Sequence, residues 1–194
     1  MSTASIAPTN VRRLVESAVM LAIANVLSVL SFQGPWALGG SITVCSMLPL
    51  VIIAWRWGTK WGLLTAFVHG LLQMLMGFAN VQYGRSPLEM LLIAFLDYLL
   101  AYAVIGLAAL FRGKTKKELS AILLGIVVAF LMRYACHFLS GWLIWEALWP
   151  NELGWASTLW SLAYNGSYMV PEILITAIVA AASYLPLKTL WGRQ

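Results

Sequence analysis

The sequence predicts an all-α integral membrane protein of six transmembrane helices with both termini cytoplasmic. The scarcity of charge, the number of apolar runs and the side on which the basic residues fall carry that prediction. Of 194 residues, 61% are hydrophobic and only 10% charged, and the mean hydropathy is +0.84. A soluble domain carries about a quarter of its residues as charges, so much of the outer surface here must face lipid. A helical crossing of a roughly 30 Å hydrocarbon core takes about 20 residues. The chain therefore has room for six or seven spans in one membrane domain, 1–194, and none for a soluble catalytic or nucleotide-binding domain.

The apolar runs cover approximately 14–32, 44–55, 61–78, 88–111, 119–145 and 159–187. The first follows Arg12 and Arg13 in the manner of a signal peptide, but it outruns the roughly 7 to 15 residues of a signal core. It also leads into another span, so it is expected to be retained. The second run is short. The third carries His69, which lacks a polar residue at helical spacing and is expected to be a hydrogen-bonded structural histidine. Between the runs lie three turn-rich stretches, 32–43 with Gly34, Pro35, Gly39 and Gly40, then 79–87 and 146–157. The first of these combines glycine hinges with aromatic side chains and is expected to act as a lid. Cys45 and Cys136 both fall inside apolar runs, so neither a disulfide framework nor a metal site is expected.

Placing the N-terminus inside puts Arg12, Arg13, Arg56, Lys60, Arg112, Lys114, Lys116, Lys117, Lys188 and Arg193 on the cytoplasmic side. The remaining two of the twelve cations are Arg85, in an outer loop, and Arg133, within the fifth span. This bias suits an even number of spans, and it points to a membrane partner rather than to nucleic acid. Trp55, Trp57, Trp61 and Trp191 lie near the inner interface, where they are expected to serve as anchors. The other six tryptophans concentrate toward the outer end.

An ionisable side chain at a span centre costs at least about 2.5 kcal/mol on insertion scales, so each such group must face protein or water. Asp97, Arg133, His137 and Glu172 are in that position. Either they order the bundle as buried pairs or they line a polar ligand pocket. Arg133 and His137 share a helix face that continues through Ser140, Gly141 and Trp145. In the sixth span Asn165, Tyr168 and Glu172 form one stripe, with Trp160 and Tyr164 beside it. Asp97 and Tyr98 add a carboxylate and a phenol. Carboxylates among flat aromatic faces suit a small heteroaromatic ligand, particularly a cationic one, in a cavity opening outward.

Several blocks resemble the thiamine-specific substrate-binding (S) subunits of energy-coupling factor (ECF) transporters of bacteria and archaea. They are Gly39-Gly40-Ser41-Ile42-Thr43 with Ser46-Met47-Leu48-Pro49, Leu96-Asp97-Tyr98, Arg133-Tyr134 with His137-Phe138-Leu139-Ser140-Gly141, and the run from Ser161 to Glu172. The resemblance implies an S-component-like six-helix bundle in a bacterial or archaeal plasma membrane. Such a subunit takes thiamine from outside and docks on a transmembrane coupling subunit driven by two ATPases. It has no cofactor of its own and no enzymatic activity, ATP being used by the partner subunits. Carried over by position, Trp36, Asp97, Tyr98, His137, Trp145 and Asn165 fall on ligand-contacting positions, as does Tyr83 in a loop of variable length. The family has Glu at many members' equivalent of Asp97, Tyr at that of Trp160 and Lys in some at that of Arg133. Ala18 and Ala22 form a small-xxx-small step on the first helix, and the resemblance implies that this alanine motif meets the coupling subunit.

Two other functions remain open on the residues alone. One is an S subunit or autonomous carrier for another heteroaromatic cation, pyrimidine or vitamin precursor. The other is an intramembrane enzyme using Asp97, His137 and Glu172, against which stands the lack of a helical HExxH or Gly-x-Ser-x-Gly motif. Gly113-Lys114-Thr115 lacks the earlier glycine of a phosphate-binding loop, and Asn165-Gly166-Ser167 is a glycosylation sequon only as a string, since it lies within a span.

Overall fold

The computed structural model describes residues 9–36 and 39–192. Arg193, counted above among the inner cations, lies outside the described residues. Six substantial helices follow the six apolar runs: α1 Thr9–Val29, α2 Leu48–Trp57, α3 Thr59–Met76, α5 Pro87–Ala109, α6 Glu118–Leu148 and α7 Ser157–Tyr184. Two short helices, α4 Phe78–Val81 and α8 Lys188–Trp191, complete the helical set among the described residues. By length and composition α5, α6 and α7 are able to cross a membrane, and α2 is a shorter apolar helix.

Each start has a local cause. Pro49 occupies the first turn of α2, where its missing N–H costs nothing. The run begins four residues later than its apolar pattern because Cys45 takes a positive φ of 57° in the turn that precedes it. Ser86 caps α5 by accepting from the Glu89 amide, with Pro87 following. The 32–43 stretch is more ordered than a plain loop, since β1 Ser31–Phe32 pairs antiparallel with β2 Ile42–Thr43 to make a short ribbon. Likewise 79–87 begins inside α4, and 146–157 begins as the last turn of α6.

Helix α6 packs between the C-terminal half of α5 and α7, while α3 lies against α2 and α5 and α1 leans on α2. Small residues set the closest approach. A Cβ at Gly106 would collide with Leu63 and Gly62 of α3, so α3 and α5 cross nearly backbone to backbone. The core between the helices holds Leu50, Ile105, Ile126 and Phe130 together with Trp55 and Trp191. The last two correct an expectation. They are 0% and 1% exposed and act as core rings, not interfacial anchors. Trp57 and Trp61 stay half-buried, and their indole N–H groups donate to Glu16 at 3.0 Å and Ser17 at 2.8 Å.

His69 also departs from expectation. It is fully buried, yet neither ring nitrogen has a hydrogen-bond partner among the described residues. Its contact is edge-on to the Tyr102 ring, with centroids 5.1 Å apart. Cys45 and Cys136 are buried and unpaired with each other, as expected.

Candidate ligand-binding cavity

A cavity of about 200 Å³ lies toward the end of the bundle where α3 finishes and α7 begins, walled by α3, α5, α6, α7 and the ribbon. Two widened stretches of helix build it. Helix α5 opens into π-helical turns over Ala94–Leu100, and α6 does so over Gly141–Trp145. Such turns shift the side-chain register and recur at functional sites. Here they bring Asp97 and Trp145 together, the indole Nε1 donating to Asp97 Oδ2 at 2.8 Å. Ser140 donates to the same oxygen at 2.6 Å, and His137 Nδ1 lies 3.1 Å from Oδ1. One carboxylate thus fixes three neighbours on the facing helix.

Helix α7 supplies the opposite wall. A Cβ at Gly141 would strike Ser161 Oγ and come within 3.0 Å of Asn165 Nδ2, so the missing side chain lets α7 close on α6. Asn165 is wholly engaged within the protein. Its Nδ2 donates to the Ser161 carbonyl at 2.9 Å and the His137 carbonyl at 3.2 Å, and its Oδ1 accepts from Tyr168 at 2.5 Å. Glu172 accepts the backbone N–H of Thr43, which ties the ribbon to α7. Two more bonds reinforce that seam: Tyr164 donates to the Gly39 carbonyl at 2.7 Å and Trp36 Nε1 to Ser167 Oγ at 2.6 Å.

Of the site residues expected from the sequence, Asp97, Tyr98, Arg133, His137, Trp145, Trp160, Tyr164 and Asn165 line this one cavity. Tyr98 accepts from Asn80 Nδ2 and donates to the Gly77 carbonyl, both at 3.1 Å. The Arg133 guanidinium sits 4.1 Å from the centre of the Tyr102 ring, a cation–π distance. Trp36 and Tyr83 are not among the lining residues. Trp36 packs edge-on to Tyr168 behind the wall, and Tyr83 lies edge-on to Trp149 and Trp145 with centroids 5.0 and 6.3 Å away. Ala18 and Ala22 lie in the middle of α1 on an exposed, apolar face shared with Val15, Val19 and Val26.

Reading the sequence alone missed Gln73, Asn80, Tyr102, Glu146 and Trp149 as lining residues. The spacing of Trp149 four residues after Trp145 was a usable signal for that pair of rings. Gln73 donates to Asn25 Oδ1 at 3.0 Å and Ser28 Oγ at 2.9 Å, a polar bridge between α1 and α3 that no single helix face announces. The balance of charge is acidic, with Asp97, Glu146 and Glu172 facing one guanidinium. Acidic groups and indole faces together attract a flat cation.

A helical bundle with apolar exteriors around a polar, aromatic-walled cavity defines a membrane-embedded small-molecule binder. Residues 14–190 match the model of the thiamine transporter protein family, and the chain belongs to that family. It is 32% identical over 183 residues to the thiamine transporter ThiT of Bacillus subtilis (strain 168), covering 89% of this chain and 90% of that one. It is 25% identical over 142 residues to the ThiT of Lacticaseibacillus paracasei, covering 69% and 68%. The fold is similar to that of a solved ThiT from Listeria monocytogenes, with a TM-score of 0.79 at 24% identity, covering 96% of this chain and all of that one. It is also similar to the S component of a bacterial ECF transporter, with a TM-score of 0.65 at 18% identity, covering 95% and 100%. The named relatives are transporters, not enzymes.

Proposed function

We propose that this chain is the thiamine-binding S subunit of an ECF-type importer in a bacterial or archaeal plasma membrane. In this reading the chain crosses the membrane six times with both termini cytoplasmic, and the cavity opens outward. The observation that carries the reading is the Asp97 constellation in a family of thiamine transporters: a carboxylate that orients Trp145 and His137 on a cavity lined by flat rings. An indole held by a part-buried hydrogen bond is a preorganised stacking surface, so little ordering opposes binding. Three carboxylates against one guanidinium give the cavity an acidic excess that attracts a thiazolium, and the ribbon bonded to α7 is suited to close over it as a lid.

Titrating the purified chain with thiamine and following tryptophan fluorescence tests this reading. Saturable quenching at nanomolar ligand is expected, weakened strongly in Asp97→Asn and Trp145→Ala. A chain silent to thiamine but responsive to another aromatic cation or to a pyrimidine would transfer the function to that compound. Ligand recovered chemically unchanged is expected by mass spectrometry.

In this reading the exposed Ala18 and Ala22 face receives a coupling subunit worked by two ATPases. Close helix approach needs small residues, so Ala22→Trp should abolish uptake in cells while leaving thiamine binding by the purified chain intact. Loss of both would remove the docking assignment.

A further inference from the structure

Helix α1 is fastened to the bundle by side-chain hydrogen bonds at two places. Near its start Glu16 and Ser17 bond with Arg56, Trp57 and Trp61, none of which lines the cavity. Further along, Gln73 of α3 donates from Nε2 to Asn25 Oδ1 and to Ser28 Oγ. Both acceptors are tied into the α1 backbone, since Asn25 Nδ2 donates to the Leu21 carbonyl at 2.8 Å and Ser28 Oγ to the Asn25 carbonyl at 2.7 Å. Gln73 and Ser28 line the cavity. Among the described residues, the cavity wall and α1 are joined by side-chain hydrogen bonds at Gln73 alone.

This amide has two unequal ends. Its nitrogen is spent on α1, while Oε1 meets no donor among the described residues and is not shut off from water. An amide is one polarisable unit, so a donor arriving at the oxygen strengthens the bonds that the nitrogen makes. Those bonds matter to α1, because between apolar helices a hydrogen bond fixes rotation and register more sharply than packing does. Leu21, Asn25 and Ser28 form an inward stripe at helical spacing. The outward side of the same helix carries Ala18, Ala22 and Val26, all exposed.

We propose that Gln73 links the loaded cavity to α1: a ligand donor, an exocyclic amine or a hydroxyl, bonds to Oε1, tightens the grip of Nε2 on Asn25 and Ser28, and holds the exposed face of α1 in one rotation. The inference rests on the thiamine and docking readings. It adds that a coupling subunit meets an ordered face on the loaded chain and a looser one on the empty chain. Toward docking, Gln73 is a positioning residue that acts through α1.

Hydrogen–deuterium exchange of the purified full chain, with and without saturating thiamine, tests the link. In the wild type thiamine should slow backbone exchange over 21–29 by about threefold or more, along with exchange around Asp97 and Trp145. Asn25→Leu leaves Oε1 for the ligand and removes part of the grip. Its thiamine affinity should stay within about twofold, and slowing around Asp97 should persist, which also reports a folded variant. The slowing over 21–29 should shrink, and thiamine uptake by cells should fall by about fivefold or more. Gln73→Leu removes both ends of the amide, so the slowing over 21–29 should vanish and affinity should fall by about three- to tenfold. Wild-type exchange over 21–29 that ignores bound thiamine, or slowing that survives Gln73→Leu, would overturn the proposal. Equal uptake by wild type and Asn25→Leu would overturn its docking half. A wild-type chain that does not bind thiamine overturns instead the reading on which it rests.

Discussion

At the end of the bundle away from the cavity, Arg56 is 4% exposed and every face of its guanidinium is met. Nε and Nη2 form a fork with Glu16 at 2.9 and 2.8 Å, and Nη1 donates to the carbonyls of Thr189, Leu190 and Gly192 at 2.8 to 3.1 Å. Arg133, in the cavity wall, has the Tyr102 ring and the Ala101 carbonyl at the long distance of 3.5 Å. The same side chain is thus a completed joint at one end and an open surface at the other. Polar groups whose partners lie within the fold hold helices together, and those with capacity left over are where a ligand acts. Glu16 belongs to the completed joint as well, bonded by Arg12, Arg56 and Trp57.

The largest expected effect follows from dismantling the completed joint. Arg56→Ala leaves Glu16 without its principal partner and uncaps the carbonyls at the end of α8. Breaking a buried pair from one side costs about 3–5 kcal/mol. The variant should unfold at markedly lower temperature in detergent, while the fraction that remains folded binds thiamine with unchanged affinity. An affinity loss as large as the stability loss would erase the division between the two ends.

A smaller effect is expected where the two helices of the cavity meet. In Gly141→Ala the new methyl collides with Ser161 Oγ, and α7 must shift away from α6. Overpacking of this kind costs about 1–3 kcal/mol, here drawn from the site instead of the joint. Thiamine affinity should fall by roughly tenfold, with a loss of thermal stability smaller than that of Arg56→Ala. A stability loss with intact affinity would make Gly141 part of the joint class.

Much of this division was legible in the sequence. Scarce charges in apolar runs must be paired or face a cavity, and that argument alone selected Asp97, Arg133 and His137. Periodicity placed Asn165, Tyr168 and Glu172 on one stripe, where all three are buried. It failed where helix geometry departs from 3.6 residues per turn. The π turns around Asp97 and Trp145 change which residues share a face, so Glu146 enters the cavity wall although an ideal helix counted from His137 would turn it aside. Trp55 and Trp191 were misplaced because composition marks a tryptophan as interfacial without saying whether a neighbouring helix covers it. Partners such as Arg56 and the α8 carbonyls are 133 to 136 residues apart, beyond the reach of any local pattern.

The finest expected effect concerns the ribbon, which touches the cavity but is joined by few bonds. Tyr164→Phe removes the hydroxyl that donates to the Gly39 carbonyl at 2.7 Å and leaves the aromatic wall in place. A neutral hydrogen bond of this type contributes about 0.5–1.5 kcal/mol. The Thr43 to Glu172 and Trp36 to Ser167 bonds still hold the ribbon, so the fold should stay intact. If the ribbon is a lid, its opening precedes ligand escape, and losing one closing bond speeds dissociation by about two- to tenfold while association stays nearly constant. Stopped-flow displacement of bound thiamine reads both rates. A ribbon that is only a packed connection predicts unchanged dissociation, and that outcome would move Tyr164 and Gly39 from the open class of contacts to the completed one.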